Sequence, residues 1–349
     1  MDENPLTEAN LLWSGRELIH NRQWQMDLSL CAGGLEDYFS WIKKTLGVVG
    51  LALIKNVPFT ALPETEAAQA FLNFGLNFGC PVSQSEKFDF LGRVTDRGSD
   101  IRNHTARGYE STAELPFHND RCDLLALLCI RQAPIGGETR VVSAVAACQR
   151  LMATDPKLAQ VLFEPVPFDL RDTKGDKCWG MMPVFSYSTG VFVARYVRRF
   201  IEASQRFEDA PRLTEHQIAA FDALDSILHE PDMAMDLRLE AGDLLLIDNH
   251  RLLHARSEFE DKAEAEAKRL LLRLWLCWTG SPELPAMLAP TYGRTGSGSF
   301  RSGVWPTTCP LSSFPSDLTQ ARQRVKDIIL SSEYKKKISN YTTRTLKAE

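Results

Sequence analysis

Short apolar runs broken by Gly, Pro and Asp-Asn fill the middle of the chain and carry most of its structural information. Cys122 to Ile130 is an almost unbroken apolar stretch that stops at Pro134 and Gly136-Gly137, as a buried strand does. Val48 to Asn56 reads as an opening strand. Leu244 to Ile247 reads as another, running into an Asp248-Asn249 turn before a further extended run that carries His254. Lys268 to Trp278 alternates: one face offers Leu270, Leu272, Leu274 and Leu276, the other Arg269, Leu271, Arg273, Trp275 and Cys277. The leucine face must be buried, whereas the second face suits either solvent or the polar mouth of a barrel. Between and after these runs the spacing turns helical. Glu64 to Phe78 puts Phe71, Leu72, Phe74 and Leu76 on one side ahead of Gly79 and Pro81. Thr214 and Gln217 form a capping box before Ile218, Phe221, Leu224 and Leu228, and Ser316 to Ile338 is amphipathic. Short strands with distant motifs forced to converge predict a mainly β protein with flanking helices, its strands in two facing sheets of jelly-roll or cupin-like type.

His118 and Asp120 stand two apart in Leu-Pro-Phe-His-Asn-Asp, so in extended chain they share a face while Asn119 points away. The pair is weak evidence alone, since a chain of 349 residues with 7 histidines and 45 acids holds about one by chance. It gains meaning from His254 and from Arg269, 15 positions further on. Two histidines and a carboxylate on one side of an iron leave positions open for a cosubstrate and oxygen. An arginine beyond them supplies a permanently charged fork for a dicarboxylate. His250 lies four before His254, but lacks the following Glu of a helical zinc pair and reads as a turn or structural residue. Ser257 to Ala267, rich in Glu, Asp, Ala and Lys, reads as an exposed excursion.

In order along the chain, His118/Asp120, Gly136-Gly137-Glu138-Thr139, the Gly242-to-His254 block and Arg269 with Arg273 resemble the motifs of a known family. It is the taurine dioxygenase (TauD/TfdA-like) family of Fe(II)- and 2-oxoglutarate-dependent oxygenases. The motifs are specific as a set, and the resemblance runs from roughly Val48 to Trp278. It implies a double-stranded β-helix of clavaminate synthase-like type. It also implies a catalytic Fe(II) held by His118, Asp120 and His254, with 2-oxoglutarate paired through its far carboxylate to Arg269 and Thr139, and O2 as the other cosubstrate. Such an enzyme hydroxylates, desaturates or cyclises a small molecule while releasing succinate and carbon dioxide. Asp120 argues against halogenation, because related halogenases carry Ala or Gly there. Arg273, facing the same way as Arg269, hints at an acidic or amino-acid-like substrate, and Tyr109, Phe117, Asn119 and Trp179 are further candidates for lining the substrate pocket. Two other readings stay open. A metal-dependent hydrolase or isomerase on a cupin-type barrel leaves Arg269 and Thr139 without a task. A non-catalytic binding protein leaves the whole constellation without one.

Composition sets bounds. At 349 residues and 44% hydrophobic content the chain can bury a full core, so we expect one catalytic domain over 1–349. Its core would span about 48–278, with an extension over 1–40 and a C-terminal helix and tail over 310–349. No apolar run approaches the ~20 residues that cross a bilayer. Asp2 and Glu3 stand where a targeting peptide would need basic residues, which predicts a cytoplasmic protein. Eight cysteines without metal-finger spacing predict reduced, buried thiols. A net charge of −5 with no basic, aromatic-interleaved stripe argues against a nucleic-acid partner, and nothing specifies an oligomeric state. His216 reads as a first-turn surface residue, Tyr196 to Phe200 as a solvated segment anchored by Phe200 and Ile201 with a pocket contribution as the alternative, and Gly293 to Ser299 as a flexible loop without phosphate-loop features.

Overall fold

The computed structural model describes residues 11–31, 34–98, 110–171 and 179–343. A seven-stranded sheet runs in the order Gln25–Asp27, Leu51–Lys55, Leu244–Asp248, Leu124–Arg131, Leu270–Cys277, Cys80–Pro81, and Leu91–Val94 also pairs with Leu270–Cys277. Only the first pairing is parallel. A four-stranded antiparallel sheet has the order Met235–Leu237, Thr139–Ser143, Leu252–Arg256, Leu115–His118.

The alternation along the smaller sheet decides what faces the site. Phe117, Val142, Leu253 and Ala255 join an apolar cluster that includes residues of the helices Ala144–Thr154 and Glu215–Leu228, whereas Val141 belongs to the cluster of the larger sheet. Directly opposed residues of an antiparallel pair project to one side. Val141 opposes His254, and Thr139 opposes Arg256, so these four turn toward the larger sheet.

The ambiguity over Lys268 to Trp278 resolves toward the interior: the Leu270–Cys277 strand is buried at every position. Its leucine face lies under the helix Glu64–Phe78, so closely that a Cβ on Gly75 would stand 2.8 Å from Leu274. Arg273 and Trp275 therefore point inward.

Four expectations change. Val48 and Val49 finish the helix Leu35–Val49, closed by Gly50 at φ 79, and the strand begins only at Leu51. An apolar β-branched pair reads alike at a helix end and a strand start, and Gly50 decides the matter by adopting the left-handed cap. Ser316 to Ile338 is not one helix: Ser331, at ψ 150, divides Leu318–Leu330 from Ser332–Thr343. Ile218 is exposed, whereas Phe221, Leu224 and Leu228 are buried. The segment Gly293 to Ser299 is stitched down, because Arg294 donates to the carbonyls of Phe300, Leu311, Phe314 and Pro315. His216 is exposed on a helix with its capping box formed. The seven described cysteines are unbridged, and five of them are buried as expected, whereas Cys31 is exposed and Cys309 only half-buried; Cys178 lies outside the described residues. Among the described residues no helix is long and apolar enough to cross a membrane.

Candidate active site

His118 ends the strand Leu115–His118 of the smaller sheet, and Asp120 lies just beyond it, where the chain crosses to Leu124 of the larger sheet. The two do not share a strand, as their spacing suggested. They reach one point because the crossing is clamped. The Asn249 side chain accepts from Asp120 N at 2.9 Å and donates to the carbonyls of Asp120 and Cys122 at 2.7 and 2.8 Å. Asn119 donates to the carbonyls of Asn249 and Leu252 at 2.7 and 2.9 Å and accepts from Tyr196 N at 2.8 Å. Arg195, unremarked in the sequence, donates to the carbonyls of Asn119 and Asp120 at 2.7 and 3.2 Å.

Of the pocket-lining candidates, Asn119 and Phe117 do border the cleft beside the site, but both are also engaged by the protein itself. The Asn119 amide is consumed by backbone on both of its ends, so it shapes the site instead of reading a ligand. Phe117 is 3% exposed, packs edge-on to His229 and lies beneath Arg140, on the face opposite His118. Trp179 donates to Asp209 at 3.0 Å, and Tyr109 lies outside the described residues. His250 is structural as expected: its Nε2 is 2.8 Å from Asp123 Oδ1, which also accepts from Arg301.

One ligand atom each from His118, Asp120 and His254 lies within 4.8 Å of the others. Cross-strand pairing sets His254 opposite His118, with ring centroids 4.3 Å apart. His118 Nδ1 is 2.8 Å from the Pro116 carbonyl, which places its proton there and leaves the Nε2 lone pair facing Asp120. Burial, followed by the nearby His118, draws His254 down to about 3, and burial also lowers His118, so both rings are neutral at neutral pH. Burial alone would raise the Asp120 carboxyl, but Arg273, the two histidines and the Trp275 N–H outweigh it and hold it at about 2. Two neutral imidazoles and an ionised carboxylate on one side of a point fit Fe(II) in a facial triad.

Arg273 takes a different place from the one its spacing suggested. Its Nε donates to Gln84 Oε1 at 2.9 Å and its NH1 to Asp120 Oδ2 at 3.2 Å, where the Trp275 indole also donates at 2.8 Å. Arg273 thus first fixes the metal carboxylate, although it still borders the cleft beside it.

Arg269, 1% exposed, donates to Gln132 Oε1 at 2.9 Å and to the Gly137 carbonyl at 3.1 Å, while its NH1 is buried with no partner. Burial draws it down to about 10, still cationic at neutral pH. A buried cation with an unmet donor fits the far carboxylate of 2-oxoglutarate. Thr139, two residues after Gly137, opens a strand of the smaller sheet. The stretch Ser257 to Ala267 is no simple excursion: Phe259 is buried under the Arg269 guanidinium at 5.1 Å, and Asp261 accepts from Arg269 N at 2.7 Å. Gly137, at φ +76, makes room for this arginine, since a Cβ there would stand 2.9 Å from its Nε. Gly137→Ala should cost about 1–3 kcal/mol in stability and weaken 2-oxoglutarate binding as Arg269 is displaced. Urea denaturation and calorimetry check both, and two unchanged values would remove the cradle.

A cleft of about 2120 Å³ opens beside His118, Asp120, Arg273 and Trp275. Val197, Arg198, Arg199 and Phe200 line it, so the alternative reading of this segment, a contribution to a pocket, is the one the cleft favours, with Ile201 buried and Phe200 half-buried.

The model of the taurine catabolism dioxygenase TauD, TfdA family matches residues 21–275. The chain is 31% identical over 248 residues to the FR-33289 synthase of Streptomyces rubellomurinus, covering 69% of this chain and 72% of that one. It is 30% identical over 187 residues to an Amycolatopsis uridine-5'-phosphate dioxygenase, covering 50% and 66%. A structure of the non-haem iron oxygenase OrfP with Fe and alpha-ketoglutaric acid is similar in fold, with TM-score 0.53 and 19% identity over 78% of this chain and 85% of that one. The family match spans well over half the chain and includes every residue of the triad and both arginines that follow it. The chain belongs to the TauD, TfdA family and is a 2-oxoglutarate-dependent non-haem iron dioxygenase.

Proposed function

We propose that the enzyme oxidises a C–H bond of a small acidic or amino-acid-like molecule, by hydroxylation, desaturation or ring closure, on a double-stranded β-helix formed by its two sheets. The observation that carries this reading is that His118 and Asp120 of the triad stand on the wall of a cleft lined by thirteen Lys/Arg side chains against nine Asp/Glu, in a chain of net charge −5. A local cationic excess in an anionic chain concentrates anionic ligands. The relative named for uridine-5'-phosphate, an anionic molecule, supports the same substrate class.

Bound Fe(II) and 2-oxoglutarate would supply the oxidising chemistry, with succinate and carbon dioxide as coproducts. The chain does the rest. His118, Asp120 and His254 hold the metal, and Arg273 with Trp275 keeps one Asp120 oxygen engaged so that the carboxylate cannot turn freely. Arg269 and Thr139 would hold the far carboxylate of the cosubstrate. The retained Asp120 favours these outcomes over halogenation, which needs that position emptied.

The test has two steps. Anaerobic thermal-shift measurements with Fe(II), 2-oxoglutarate and a panel of amino acids, organic phosphates and sulfonates should show added stability for one chemical class, since a ligand of the native state raises its melting temperature. With that compound, succinate release should require both iron and 2-oxoglutarate. Stabilisation and turnover confined to neutral compounds would overturn the acidic-substrate reading.

A further inference from the structure

A second arginine stands at the cosubstrate end of the site. Arg256 is two residues beyond His254 on the same strand, so its side chain shares the inward face of that ligand. It opposes Thr139 directly across the strand pair. Its guanidinium lies over the Phe259 ring at 4.8 Å, the same ring that carries Arg269 at 5.1 Å. Both arginines therefore meet at one buried aromatic, next to Thr139 and to the Gly137 carbonyl that Arg269 holds.

The donors of Arg256 are divided. NH2 is spent on the carbonyls of Ser111, at 2.6 Å, and Ala113. Nε and NH1 are buried and have no partner, like Arg269 NH1 beside them. Among the described residues neither arginine forms an ion pair. A buried guanidinium with unmet N–H groups is costly, and two in one chamber repel each other, so an anion bound between them would relieve both costs. A carboxylate has two oxygens and about four lone-pair sites, enough for both forks and a hydroxyl.

We infer that Arg256 binds the far carboxylate of 2-oxoglutarate together with Arg269 and Thr139, making this a two-arginine carboxylate site. The inference rests on the use of 2-oxoglutarate as cosubstrate. It has a further consequence: the residue that grips the cosubstrate also holds the Ser111 and Ala113 carbonyls, in the segment that leads into the strand of His118.

The test is anaerobic calorimetry of the Fe(II)-loaded protein with two ligands, 2-oxoglutarate and 2-oxopentanoate, which has a methyl group in place of the far carboxylate. Arg256→Gln should weaken 2-oxoglutarate by about tenfold or more, as loss of a buried charge-assisted partner does, and leave 2-oxopentanoate unchanged. Arg256→Lys, which keeps the charge without the fork, should fall between, and it gives the same comparison if the Gln variant does not fold. Equal weakening of both ligands would mean that Arg256 only supports the fold, and an unchanged 2-oxoglutarate affinity would remove it from the site. Either outcome overturns the inference. Failure of the unmutated protein to bind 2-oxoglutarate more tightly than 2-oxopentanoate would instead strike at the cosubstrate assignment itself.

Discussion

His254→Ala is expected to abolish turnover and to cut Fe(II) affinity by well over the roughly 10–100-fold that loss of a mere outer-shell partner costs. The fold should survive. The strand ladder that holds His254 between His118 and Val141 is made by backbone, and the side chain's Nδ1 has no partner within the protein. Removing the ring therefore orphans nothing else, and the stability cost should stay near the ~1–3 kcal/mol of an ordinary buried truncation. Asp120→Gly offers the contrast. It also loses the metal, but it strands the Arg273 NH1 and Trp275 Nε1 donors that now meet on Oδ2, so it should be the less stable variant of the two. Iron content by elemental analysis, with melting curves of both apo-proteins, separates the effects. A His254→Ala variant that keeps stoichiometric iron and most of its activity would take His254 out of the centre.

The chemistry of the site was more legible in the sequence than its construction. His118, Asp120, His254 and Arg269 could be picked out because ligand type and local spacing are sequence properties. What the spacing could not show is that His118 and Asp120 belong to different structural units. Their meeting depends on Asn249 and Arg195, more than seventy positions away, through bonds that no local pattern encodes. The same blindness hid how Asn119 and Phe117 are held: both border the cleft, but Tyr196 and His229 also engage them through contacts that no local pattern encodes. Arg256 is a different case. Residues two apart on a strand share a face, the rule applied to His118 and Asp120, and extended from His254 it points straight at Arg256. Phe259 was missed because an apolar residue in an acidic stretch looks accidental until its arginine neighbours are known. The β-rich core was readable from the leucine runs, but helix and strand could not be told apart at Val48-Val49, where only the conformation of Gly50 distinguishes them.

Arg269→Ala and Arg273→Ala should fail in different ways although the two arginines share a strand face. Truncating one partner of a buried charged pair costs about 2–5 kcal/mol, or roughly thirty- to several-thousand-fold in affinity. For Arg269 that loss should fall on 2-oxoglutarate, because its unmet NH1 has nothing else to bind and its other donors are fixed on Gln132 and Gly137. Iron retention by the Arg269→Ala variant should be close to normal, since no atom of Arg269 touches a metal ligand. For Arg273 the loss should fall on the metal. Its NH1 restrains the Asp120 carboxylate and contributes most to keeping it ionised, so Arg273→Ala should loosen iron by the roughly 10–100-fold typical of an outer-shell partner. Once iron is saturating, its affinity for 2-oxoglutarate should be nearly unchanged. Measuring iron dissociation and 2-oxoglutarate affinity on both variants gives four values, and the expected pattern is one large change in each row and column. The strand itself supplies the reason for the split: the ladder with Leu124–Arg131 shifts register between Leu270 and Leu271, so Arg269 leaves the sheet at its edge while Arg273 stays paired inside it, opposite Leu127. A swap of the two phenotypes, or equal loss of 2-oxoglutarate from both variants, would show that this register places the wrong arginine at the cosubstrate.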